Sequence, residues 1–194
     1  GEKAFCAGGD IRALYESMSS PEGPIFAETF FELEYRLDYK IHNFSKPIIS
    51  ILDGIVMGGG AGLMFASTYK IATERTRFAM PEIGVGLFPD VGFTSVIKDL
   101  PKGLGLYIML TASQLNASDM RFCNLVDSCL SYTKMQDFLL DVLELAWQDD
   151  VDENLALLDS ILKRSSYLKE IENFPSGKVE GELEKIQSMT NEDN

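Results

Sequence analysis

Histidine is almost missing from this sequence: His42 stands alone among 194 residues. One imidazole excludes a histidine-rich metal centre, and no conventional histidine triad can form away from it. His42 itself falls near the end of a helical run and reads as helix surface. Cysteine is also scarce. Cys6, Cys123 and Cys129 are an odd number without metal-ligand spacing, expected as reduced thiols of a cytoplasmic or mitochondrial-matrix protein. No apolar run approaches the ~20 residues that cross a bilayer. Basic residues are outnumbered, 17 against 30 acidic, for a net charge of −13. Such a field repels nucleic acid and anionic lipid, so neither is an expected partner. Local backbone N–H groups can still hold a small anion. An initiating Met is absent too. Gly1 stands just before a motif-rich stretch, so the start of the chain and any targeting segment are expected upstream.

What is present fits one globular domain or a domain with a small extension: 45% apolar and 24% charged residues. Short apolar runs at 4–6, 48–52, 55–57, 69–73, 77–79 and 126–130 predict strands. Three-to-four spacing predicts helices over 11–18, 25–44, 60–67, 102–110, 134–147 and 152–164. In the 25–44 helix Phe26, Phe30, Leu33, Leu37 and Ile41 make the apolar stripe. Its acids Glu28, Glu32, Glu34 and Asp38 are read mostly as a solvated face. Ser118 is the expected N-cap of a helix reaching Leu125, with Asn124 suited to a left-handed end. The expected organisation is an α/β core over 1–130, a helical extension over 131–172 and a polar tail over 173–194, a weak helix or disordered.

Three segments could carry chemistry. Met57-Gly58-Gly59-Gly60-Ala61-Gly62 joins a strand to a helix. Its glycines either let backbones pack closely or leave N–H groups at a helix N-terminus open to a ligand. It lacks the Gly-Lys-Ser/Thr of a P-loop and the G-x-G-x-x-G of a dinucleotide site. Cys6-Ala7-Gly8-Gly9-Asp10 is a second bare strand-to-helix turn. Two such donors converging on one oxygen would form an oxyanion hole, although spacing alone cannot bring the turns together. The third segment, Met80 to Gly92, sets Glu82 and Asp90 in an apolar loop. Burial there would raise a carboxyl pKa and suit acid–base work, whereas solvated acids on a capped turn are the plainer alternative.

The strings "AFCAGGDI", "MGGGAGL", "FAMPEIGVGLFPDVG" and "LTASQLNASDMRFCNLVDSCL", in this order over residues 3–130, resemble the crotonase (enoyl-CoA hydratase/isomerase) superfamily. "MPE…GLFPDVG" is most similar to its 3-hydroxyisobutyryl-CoA hydrolase subgroup. The resemblance implies a crotonase-like fold of repeated ββα units with a helical C-terminal part. It also implies that strands preceding residue 1, and a longer C-terminal region, are missing from this chain.

For the site, the resemblance implies Gly9 and Gly59 as oxyanion-hole donors and Glu82 as nucleophile or general base. Asp90 would be its acidic partner, and Glu34 would position water or a substrate hydroxyl. Ala7, Gly8, Asp10, Arg12, Gly58 and Phe88 would bind substrate, with Arg12 and Lys3 near the coenzyme A phosphates. Where the superfamily's hydratases carry a second glutamate, this chain has Gly62, which favours thioester hydrolysis over hydration. Phe93 interrupts a run of small residues and would narrow the acyl pocket. An acyl-CoA, as in valine breakdown, is the expected partner; a homo-oligomer is left open, and neither a metal nor a separate cofactor is implied. The alternatives are a hydratase or isomerase with the same oxyanion hole, and a non-catalytic structural subunit.

Overall fold

The computed structural model describes residues 3–164, 167–168, 172 and 174–190. Among the described residues, seven strands form two sheets. In the first, β1 (Ala4–Cys6), β3 (Ile55–Met57) and β5 (Arg77–Ala79) lie side by side and parallel, and β6 (Leu115–Asn116) closes the row antiparallel to β5. In the second, β2 (Ile49–Leu52), β4 (Tyr69–Ala72) and β7 (Ser128–Cys129) are all parallel. From β1 to β5 consecutive strands therefore alternate between sheets: β2 and β4 in one, β1, β3 and β5 in the other. Asp53, at the corner between β2 and β3, is buried. It accepts a hydrogen bond from Thr73 Oγ1 (2.8 Å) and pairs with Arg75 (3.2 Å), tying that corner to the one between β4 and β5.

Helices cover the sheets: α1 (Ile11–Ser17), α2 (Gly23–His42), α3 (Gly59–Ala66), α4 (Phe93–Val96), α5 (Leu104–Thr111), α6 (Ala117–Phe122), α7 (Met135–Leu143), α8 (Val151–Leu162) and α9 (Val179–Met189). One core gathers Val56, Met64, Phe78, Met80, Leu104, Ile108 and Met120. A second gathers Tyr69, Ile71 and Leu130 against Phe138, Leu158 and Ile161 of α7 and α8. The alternation of strands and helices follows the sequence pattern closely, and the ββα units lie where the motifs place them.

Of the two readings of the tail, the helix is the one seen, over Val179–Met189, with Val179 and Ile186 buried in the first core; residues 173 and 191–194 lie outside the described residues. Three expectations need correction. Asn116, not Ser118, caps α6: it accepts from the Asp119 N–H while Asp119 accepts from the Asn116 N–H, a reciprocal capping box. Ser118 instead donates to the Pro175 carbonyl (2.7 Å). Phe93 does not narrow a pocket; it is fully buried and packs on Phe65, with ring centroids 5.9 Å apart. The stripe of α2 is largely outside, with Phe26, Leu33 and Leu37 exposed.

Candidate active site

Adjacent parallel strands end at the same edge of their sheet. The turns after β1, β3 and β5 thus emerge side by side, which is why three segments far apart in sequence meet. The turn after β1 is Ala7–Gly9, the turn after β3 is Gly58–Gly59, and the segment after β5 leads to Glu82. Gly8 (φ +90°) packs on the second turn, where a β-carbon added to it would stand 3.0 Å from the Gly59 nitrogen and 3.2 Å from the Met57 oxygen. Gly58 has φ +55° and ψ −130°, which a side chain resists. It leaves Gly59 as the first residue of α3, with an N–H that has no acceptor within its own helix.

Of the two readings of the glycine triplet, close packing is the one seen. Gly60 is required by close packing, since a β-carbon there would strike the Cys6 carbonyl oxygen. Gly59 faces Glu34, whose Oε1 occupies the place of a β-carbon, and Gly62 faces Asp38, whose Oδ2 would be 2.5 Å from one. A β-carbon at Gly58 would lie 3.7 Å from Glu82 Oε1. The bare turns therefore look onto carboxyl groups.

Around them lies a cavity of ≈ 470 Å³. Its wall includes Ala7, Gly8, Gly9, Gly58 and Gly59, the acids Glu34, Glu82 and Asp90, and the aromatic rings of Phe30, Tyr35 and Phe88. Glu82 opens a short 3₁₀ turn, Glu82–Val85, inside the segment read as loop. It is only 8% exposed, and both its carboxyl oxygens are buried without a hydrogen-bond partner. Burial, reinforced by the Asp90 charge, pushes its pKa up. Burial also raises the Glu34 carboxyl, with Asp90, Asp38 and Glu82 adding repulsion. An acid held this way is a stronger base once ionised.

Most of the expected site residues converge here, but Asp10 and Arg12 do not. Asp10 caps α1 by accepting from the Ala13 N–H (2.9 Å), and Arg12 donates through Nε to Glu16 Oε1 (2.8 Å) in solvent. Two residues were missed. The Tyr35 hydroxyl donates to Asp90 Oδ2. Asp38, read as a solvated acid, buries both carboxyl oxygens without a partner, and burial with the nearby Asp90 charge pushes its pKa up to about 6. Glu28 and Glu32 do face solvent. The available clue was spacing, because Glu34 and Asp38 stand one helical turn apart and so share a face.

Parallel strands that deliver bare turns to one point, built from alternating ββα units, make this a crotonase-type protein. The chain belongs to the enoyl-CoA hydratase/isomerase family, whose model matches residues 1–194. It is 39% identical over 165 residues to the mitochondrial 3-hydroxyisobutyryl-CoA hydrolase of Danio rerio, covering 85% of this chain and 42% of that protein. It is 36% identical over 169 residues to the small ribosomal subunit protein mS47 of Neurospora crassa, covering 86% and 33%. Among solved structures, a carnitinyl-CoA dehydratase from Mycobacterium thermoresistibile matches all of this chain and 52% of its own, with a TM-score of 0.79 and 30% identity. The chain thus spans less than half the length of these two curated relatives.

Proposed function

We propose that this chain carries the catalytic centre of an acyl-CoA thioester hydrolase acting on a short branched β-hydroxyacyl-CoA, 3-hydroxyisobutyryl-CoA being the leading substrate. The observation that carries this reading is the contact of the Gly8–Gly9 and Gly58–Gly59 turns beside the buried, unpaired Glu82. In this reading the Gly9 and Gly59 N–H groups donate to the thioester oxygen as negative charge builds on it. The Glu82 carboxylate either attacks the carbonyl carbon, expelling the CoA thiolate to leave an anhydride that water cleaves, or takes a proton from the attacking water. Asp90, held by Tyr35, assists Glu82 by raising its basicity through charge repulsion, and Glu34 positions the water. Arg12 and Lys3 serve the CoA phosphates. Gly62 supports hydrolysis over hydration, because a hydratase's second acid would be missing there. The mitochondrial relative supports the mitochondrial matrix as the compartment.

The deciding experiment is thiol release from a small panel of acyl-CoA esters by the full-length protein, wild type beside Glu82→Gln. Loss of about 10²-fold or more in the folded variant is expected for removal of the reacting group; full activity would remove the assigned role. Hydration of an enoyl-CoA without thiol release would instead favour the hydratase reading.

The mS47 relative gives specific weight to a second reading, a structural subunit of a larger assembly. It predicts no acyl-CoA turnover at all. The buried, unpaired acids weigh against it, since a purely structural part gains nothing from their desolvation.

A further inference from the structure

Among the described residues, only Glu82 and Asp38 bury carboxyl oxygens without a hydrogen-bond partner. The hydrolase reading gives Glu82 a task and leaves Asp38 without one. An unpaired buried carboxyl is costly, and such an orphan in a folded protein calls for an explanation.

Its position supplies one. α2 and α3 run side by side in register, with Glu34 against Gly59 and, one turn further along both, Asp38 against Gly62. Asp38 is therefore displaced from the oxyanion turn by about 4.5 Å along α3, three residues of helical rise. It also lines a second cavity, ≈ 650 Å³, which meets the first at Tyr35, Phe88 and Asp90. That cavity has apolar walls at Phe65, Ala66 and Val91; Tyr39, His42, Thr94 and Ser95 also line it, and neither lysine nor arginine does.

We propose that Asp38 is a specificity-determining residue, accepting a hydrogen bond from a hydroxyl on the acyl chain of the CoA thioester. This rests on the hydrolase reading above. With the thioester oxygen at Gly9 and Gly59, a hydroxyl on the second carbon beyond the carbonyl carbon extends along α3 toward Gly62 and meets Asp38. Glu34, a turn earlier, remains beside the carbonyl for water. The apolar walls suit a short hydrocarbon, and Asp38, whose carboxyl oxygens have no other hydrogen-bond partner, is available to accept from its hydroxyl.

The test compares CoA release from 3-hydroxyisobutyryl-CoA and isobutyryl-CoA, which differ only in that hydroxyl, by full-length wild type, Asp38→Ala and Asp38→Asn. Asp38→Ala is expected to lower kcat/KM for the hydroxylated ester by about 10–100-fold while the other ester changes less than about threefold. Asp38→Asn, which keeps an acceptor oxygen, should recover most of the loss. Equal losses on both esters, or none on either, overturn the assignment while leaving the hydrolase reading intact. Wild type that releases CoA from neither ester overturns the hydrolase reading, and the role of Asp38 falls with it. Circular dichroism checks folding. If Asp38→Ala does not fold, the same ester pair is read on Asp38→Asn, where a selective loss of about threefold is expected and its absence overturns the proposal.

Discussion

Gly8 lies against the amide of Gly59, so close that a β-carbon at position 8 would stand 3.0 Å from that nitrogen. With φ at +90°, Gly8 also holds a conformation that side chains resist. Gly8→Ala must therefore separate the two turns. If their N–H groups share one oxygen, kcat for thiol release should fall by about 10²–10³-fold with little change in KM. An unchanged kcat would show that the two turns do not act as a pair.

Asp38 makes stability depend on pH in a stated direction. Its carboxyl sits at 3.8 ordinarily and is pushed up to about 6 in the folded protein, by burial first and by Asp90 second. The folded state thus holds the proton more tightly than the unfolded state. The favourable contribution is complete below pH 3.8 and is lost as pH rises through 6. Glu34 and Glu82 shift in the same direction. Asp38→Asn, a neutral stand-in, should raise Tm by a few degrees at pH 7.5, and the gain should shrink toward pH 4. Thermal melts at both values check this; a gain that grows on acidification would contradict it.

Asp119 fastens the C-terminal helix to the domain. Its carboxyl is buried and accepts from the Lys178 N–H (2.6 Å), the Val179 N–H (2.8 Å) and the Asn116 N–H (3.2 Å). Asp119→Ala leaves three donors unmet and should cost about 2–4 kcal/mol. A Tm lower by roughly 5–10 °C is expected for a chain of this size. Asp119→Asn, which keeps one acceptor, should lose less.

Arg12 tests how a chain of net charge −13 meets an anionic carrier. If its guanidinium serves the CoA phosphates, Arg12→Glu raises KM several-fold with kcat nearly unchanged, as loss of uniform binding does. Equal falls in kcat and kcat/KM would place its effect in the reaction step instead. Its partner Glu16 offers a control, because Glu16→Gln frees Arg12 and should lower KM slightly.

Local features were legible in the sequence and their meeting was not. The runs Ala4–Cys6 and Ile55–Met57 announce strands, and the glycines after them announce turns. Which strands become neighbours is a non-local matter that spacing does not encode, so the shared edge of β1, β3 and β5 enters only with the fold. Asp38 was misread because a charged residue on an amphipathic helix is ordinarily placed outward, yet in α2 much of the apolar stripe faces out, Glu34 lines the first cavity and Asp38 the second. Tyr35 offered no signal beyond being one more aromatic in a helix. Asn116 and Ser118 are both good caps, and what separated them was in plain view: an acid three residues after Asn116 completes a reciprocal cap, whereas Ser118 has none at that distance. β6, two residues long, is too short for any periodicity to reveal.

The helix that lends the two cavities Phe30, Glu34, Tyr35 and Asp38 has just one buried residue, Gly23. An element anchored so lightly is expected to detach before the sheets behind it give way. Amide protons within residues 30–40 should therefore trade with deuterium sooner than those of β3 and β5. Each brief detachment would flood the acids with solvent and restore their ordinary acidity, so the unusual basicity of this site lasts only as long as α2 stays docked.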